Sequence, residues 1–122
     1  MMKISYDETL DFQKDFKKLV KRYTSLKGDF ELVKEAVIEL YHVWKIDNKG
    51  IFLIPGFCSK NIKICKIKKF ACDALKNKGS RSGIGIIYAF HCIELKVVFL
   101  EIYYKGDKEK VDYNRIKTYL KN

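Results

Sequence analysis

Ile84-Gly85-Ile86-Ile87-Tyr88-Ala89-Phe90-His91-Cys92-Ile93 is an almost continuous apolar run. It is too short to cross a membrane and reads as a central strand covered on both faces. Glu94-Leu95-Lys96 turns the chain. Val97-Val98-Phe99-Leu100-Glu101-Ile102-Tyr103-Tyr104 forms the next strand, which Lys105-Gly106-Asp107 ends. Upstream, 62–71 reads as another strand, joined to the central one through the polar loop Asn77-Lys78-Gly79-Ser80-Arg81. Short connections among these three strands predict an antiparallel sheet.

The remaining elements lie on either side. Lys3 to Tyr6 is a short strand, and Asp7 and Glu8 supply a cap and first-turn acids for a helix. Phe12, Phe16, Leu19, Val20 and Tyr23 then recur at helical spacing, with Lys14, Lys17, Lys18, Lys21 and Arg22 on the opposite face. After a turn at 24–28, Phe30, Val33, Val37, Leu40, Tyr41 and Trp44 mark a second helix. His42 falls on its solvent side. The pair forms an antiparallel helical hairpin. Asp47-Asn48-Lys49-Gly50 is a turn, 51–61 an irregular connection with apolar anchors, and 111–120 a closing helix. The expected order is β-α-α-β-β-β-α. This is an α+β fold in which an N-terminal strand and a helical hairpin pack on a small, mainly antiparallel sheet.

The 122 residues suit one domain, and 48% apolar content is enough for a core. With 25 Lys+Arg against 15 Asp+Glu, the net charge of +10 points to a polyanionic partner, nucleic acid or an acidic protein. The N-terminus has no signal-peptide pattern, and no membrane-spanning run appears. Cys58, Cys65, Cys72 and Cys92 form no CxxC pair. Free thiols in a cytoplasmic protein are expected, with neither metal nor cofactor.

Within Cys65-Lys66-Ile67-Lys68-Lys69-Phe70, strand alternation puts Lys66 and Lys68 on one face and Cys65 and Ile67 on the other. Adjacent ammonium groups repel, which a sheet kept for stability avoids and a sheet meeting a phosphate backbone uses. The plain alternative is a solvated strand face. Tyr88, alternating with Ile86 and Phe90, reads as core. One of Tyr103 and Tyr104 is core, and Glu101 shares a face with Tyr103 and Lys105.

The order of elements, the basic hairpin, the Lys-Ile-Lys strand, the Gly-x-x-x-x-Tyr strand and the closing Phe99 to Asp107 segment together resemble the RelE/ParE superfamily of bacterial toxins. The resemblance covers nearly the whole chain, so 1–122 is expected to be a single RelE-like toxin domain. It implies a cognate antitoxin as partner. RelE-like members cut messenger RNA in the ribosome, whereas ParE-like members act on DNA gyrase. It also implies that Lys66 and Lys68 form the basic pair of the active face, with Tyr103 to Lys105 as another wall. Tyr113 matches the family's C-terminal tyrosine. One position departs: where the family often carries an arginine for the scissile phosphate, this chain has Gly85. Arg81, in the preceding loop, is the candidate substitute.

RNA cleavage by 2′-hydroxyl attack needs a base, neutralisation of the phosphorane and a proton for the 5′-oxygen. A lysine beside another ammonium loses its proton more readily, so one of Lys66 and Lys68 is a candidate base and the other a cation. Lys105 or Arg81 adds charge, and Tyr103 or Tyr104 stacks on a base. His91 shares a face with Gly85, Ile87 and Ala89; it is either a structural histidine or a general acid or base. The expected activity is metal-independent, ribosome-dependent mRNA cleavage. The alternatives are a ParE-like, gyrase-binding toxin without catalysis and a degenerate member that binds only RNA or antitoxin. On the first reading Gly85→Arg raises cleavage, unless another side chain already fills that space.

Overall fold

Thr9, not Asp7 or Glu8, starts the first helix: its Oγ1 accepts the Phe12 N–H at 3.2 Å. The two acids instead close strand β1, Ser5–Glu8. Helix α1 spans Leu10–Arg22. Helix α2 begins as α-helix over Leu26–Val33, passes through a π-helical stretch at Lys34–Glu39 and ends as an α turn at Leu40–His42. Then come β2 (Ile51–Leu53), β3 (Ile62–Ile67), β4 (Ile84–His91), β5 (Lys96–Tyr104) and α3 (Tyr113–Lys121). The computed structural model describes residues 3–46, 50–68, 83–105 and 111–121. Arg81, Cys72 and the 77–81 loop lie outside them.

The sheet order is β1-β5-β4-β3-β2. β1 runs parallel to β5, and all other pairings are antiparallel. The expected α+β order holds with one addition. Ile51-Phe52-Leu53, read as an irregular connection, forms the edge strand β2 and pairs with 65–67. Three residues ending before Pro55-Gly56 are too few to show a period, and only the partner strand stabilises them.

One sheet face is covered by the α1–α2 hairpin. Phe12, Phe30 and Phe99 form its centre, with Phe99 lying 5.4 Å from Phe12 and 4.8 Å from Phe30 between ring centroids. Tyr88 is buried among Ile86, Phe90 and Phe99, as expected of a core residue. The other face is covered in part by α3, whose Ile116 packs with Ile64, Ile87, Ala89, Val98 and Leu100. A β-bulge joins the two halves of β5: Ile87 faces Glu101 while Tyr88 faces Phe99, leaving Leu100 as an extra residue. Leu100 and Glu101 therefore both point to the α3 side. Phe99 and Ile102 turn to the hairpin and Tyr103 to the α3 side.

The π-helical stretch changes which side of α2 is buried. A strict 3.6-residue period points Trp44 inward and His42 outward. A π turn advances less per residue, so the phase slips by about one residue across the stretch. Ile38 and His42 are consequently buried, and Trp44 is 64% exposed.

Arg115 ties α3 to the opposite layer. Its Nη1 donates to Asp15 Oδ2 on α1 at 2.6 Å and to the Leu100 carbonyl at 2.9 Å. Arg115→Ala removes both bonds and strands the Asp15 carboxylate. We expect a loss of about 2 kcal/mol in urea unfolding, with the midpoint shifted and the slope unchanged.

Candidate nucleic-acid interface

The α3 side of the sheet also carries the basic strand residues. The Asp112 N–H donates to the buried Glu101 Oε1 at 3.0 Å, fixing where the helix begins. Beyond that point toward the Tyr103 end, the sheet carries Lys66, Lys68, Gly85 and Tyr103. Lys66 and Lys68 share this face, as alternation requires, because their neighbours Cys65 and Ile67 enter the hairpin core.

Each lysine lies against an aromatic ring. Lys66 Nζ is 5.6 Å from the Tyr103 ring centroid, and Lys68 Nζ is 4.3 Å from that of Phe52. Both contacts are within cation–π range. Phe52 is opposite Lys66 in the β2–β3 ladder and is 41% exposed. It was hidden in the sequence because its strand was; the only trace is the apolar run Ile51-Phe52-Leu53-Ile54.

Tyr103 is only 4% exposed and lies over Gly85, its partner across the β4–β5 ladder. A Cβ at position 85 would come 2.7 Å from Tyr103 Cζ and 2.8 Å from its hydroxyl. The absence of a side chain at 85 is therefore a fit to this ring. Lys105 follows one step past β5. It is exposed, and its N–H donates to the Gly83 carbonyl at 2.8 Å. Tyr113, at the first turn of α3, is 48% exposed and stacks on Phe57 at 5.8 Å between centroids.

The structure thus gathers Lys66, Lys68 and Tyr103 at one site, with Phe52 added; Lys105 follows at the end of β5, and Tyr113 is paired with Phe57. It does not bring His91 there. His91 ends β4 six residues from Gly85, where its Nε2 shares a 2.6 Å hydrogen bond with the Tyr119 hydroxyl. His42, expected at the surface, is buried on the hairpin side, its Nε2 2.8 Å from the Tyr88 hydroxyl. Among the described residues, proton transfer at the site would fall to lysine or tyrosine. The buried Cys65 is pushed up to about 12 by burial, which keeps it a thiol.

Lys66 and Lys68 beside the partly exposed ring of Phe52 suit a single-stranded polyanion: the ammonium groups meet phosphates and Phe52 offers a face to a base, whereas Tyr103, expected to stack on one, is buried over Gly85. Among the described residues, no helix is long and apolar enough to cross a membrane.

No family model and no curated protein sequence matches the chain. Solved structures do. The archaeal RelE–RelB complex from Pyrococcus horikoshii OT3 aligns with a TM-score of 0.55 at 11% identity, over 86% of this chain and 98% of that one. A double arginine-to-alanine variant of the E. coli toxin RelE in the free state aligns with a TM-score of 0.54 at 16% identity, over 98% and 99%. The chain has the RelE fold.

Proposed function

We propose that this protein is the toxin of a toxin–antitoxin pair and inhibits translation by cutting messenger RNA on the ribosome, without a metal. The observation that carries this reading is the Lys66–Lys68 pair, set on the α3 side of a RelE-type sheet beside Tyr103 and Phe52. One lysine takes the proton from the 2′-hydroxyl. The 2′-oxygen then bonds to phosphorus as the bond from phosphorus to the 5′-oxygen breaks. The second lysine, with Lys105, offsets the phosphorane charge. A proton reaches the departing 5′-oxygen from a lysine or from Tyr113, leaving a 2′,3′-cyclic phosphate and a 5′-hydroxyl. Arg81 is assigned a supporting contact to the phosphate, and His91 is left outside the chemistry. A cognate antitoxin, acidic against the +10 charge of this chain, holds it inactive in the cytoplasm.

The deciding experiment compares the parent chain with Lys66→Ala/Lys68→Ala on programmed ribosomes. Cleavage is expected to fall by about a hundredfold or more, while stability moves by no more than roughly 0.5 kcal/mol. Lys→Arg at each position separates the base from the cation, because arginine keeps its charge but gives up no proton. Retained cleavage in the double alanine variant sinks the assignment.

A second reading has its own support. The space over Gly85 holds Tyr103, so an arginine at position 85 would have to displace that ring. A toxin acting by binding, to gyrase or to RNA, needs none. Normal translation together with inhibited gyrase would select the gyrase form.

A further inference from the structure

A second site lies on the opposite sheet face and at the opposite end of the sheet. There α2, the start of β3 and the β4–β5 turn enclose a cavity of about 640 Å³. Its floor is aromatic. The His42 imidazole stacks on Phe90 at 3.9 Å between centroids and 18° between planes, and Tyr41 stands edge-on to His42 at 4.9 Å. Its walls are Lys45, Lys60 and Lys63, and among the described residues no carboxylate lines it. Lys63 is opposite Phe90 in the β3–β4 ladder, so its stem rises beside the floor.

Three observations separate this cavity from a chance gathering of lysines on a basic chain. First, the π-helical stretch Lys34–Glu39 is what turns His42 inward, and such stretches are frequent at functional sites. Second, Lys45 (φ 59°) and Leu95 (φ 51°) are the two non-glycine residues with positive φ among those described, and both line the cavity. Glycine is the favoured residue for that conformation. Retaining a side chain at both positions fits a need to wall the cavity. Third, burial, with Lys45 and Lys63 nearby, lowers His42 to about 4, so the floor stays uncharged beneath cationic walls at neutral pH.

We propose that this cavity binds a nucleotide unit, its base against the Tyr41–His42–Phe90 floor and its phosphates between Lys45, Lys60 and Lys63. The aromatic floor selects a base and the lysines select phosphate; neither half of the site explains the other. The unit can be a free nucleotide or one residue of an RNA strand, and the test distinguishes them. The proposal stands apart from the cleavage reading, since it uses none of the same side chains.

The full chain is titrated with AMP, ATP, tripolyphosphate and a single-stranded RNA hexamer, by calorimetry and by the fluorescence of Trp44. This is the chain's one tryptophan and the neighbour of Lys45. The RNA arm is run in the Lys66→Ala/Lys68→Ala background, so that the other face does not report. ATP is expected to bind at least about tenfold more tightly than tripolyphosphate. Lys60→Glu/Lys63→Glu is expected to weaken binding about tenfold or more. Bound ligand is also expected to slow alkylation of Cys92, which lines the cavity, as mapped by mass spectrometry. This last readout needs only the parent chain and stands even if the charge-reversed variant fails to fold. Binding of the hexamer but not of AMP or ATP, with the same dependence on Lys60 and Lys63, assigns the site to an RNA strand. The proposal is overturned if no nucleotide or RNA binds, or if tripolyphosphate binds as tightly as ATP. Indifference to charge reversal in a folded variant, or unprotected Cys92, likewise overturns it.

Discussion

Gly85→Arg is expected to destabilise the protein by about 3 kcal/mol and to gain no cleavage activity. A comparison with RelE-type sequences leads to the opposite expectation, that an arginine here restores a missing phosphate contact. The register of β4 on β5 decides between them. A Cβ at 85 would sit 2.7 Å from Tyr103 Cζ, 2.8 Å from its hydroxyl oxygen and 2.9 Å from Cε1. The ring is 4% exposed, so it cannot yield without leaving the packing that buries it. Even alanine must push it aside, and overpacking of this kind typically costs about 1–3 kcal/mol. Arginine adds a longer side chain and a charge. The check is chemical denaturation of Gly85→Ala and Gly85→Arg, each alone and with Tyr103→Leu. A ring clash predicts that Gly85→Ala costs at least about 1 kcal/mol less once the ring is gone. A Gly85→Arg protein as stable as its parent and faster on ribosomes would return the argument to the missing arginine.

Acidification is expected to destabilise the protein through His42 by about 3 kcal/mol between pH 6.5 and pH 4. Burial is the main cause of its lowered value, and Lys45 and Lys63 add to it. The sign follows from proton counting. In that window the unfolded chain holds a proton on His42 that the folded chain excludes. Stability therefore rises with pH through the window, is fully present above 6.5 and is lost as pH falls toward 4. Carboxylates titrate in the lower part of the same range, so the informative quantity is a difference. His42→Gln keeps a polar group toward the Tyr88 hydroxyl but does not titrate. Its unfolding free energy, measured from pH 7 to pH 4, should fall less steeply than that of the parent. Parallel curves for the two proteins would mean that His42 is protonated in the folded state without penalty.

The parts of the fold legible in the sequence are those governed by period alone. The run 84–93 announced a central strand. Its hairpin with 97–104, the amphipathic α1 and the shared face of Lys66 and Lys68 all followed from alternation or from helical spacing. The rest depends on contacts between segments. β2 exists because 65–67 offers it a ladder, and with it Phe52 joined the candidate site. The π-helical stretch exchanged the places of His42 and Trp44, and no local residue pattern signals such a slip. Gly85 looked like a missing side chain until the ring opposite it was known. His91 shares a face with Gly85, as alternation requires, but a shared face is not a shared place when six residues of strand lie between them.

The extra residue in β5 has a consequence at the level of the gene. Leu100 and Glu101 point the same way, so loss of codon 100 alone would leave a regular strand with Val97, Phe99 and Ile102 still under the hairpin and Tyr103 still over Gly85. Loss of codon 98 or 102 would instead reverse every side chain on one flank of the gap, sending Phe99 or Tyr103 to the wrong layer. A lineage of such chains can vary the length of this strand at the bulge, and nowhere else along it without rebuilding both cores.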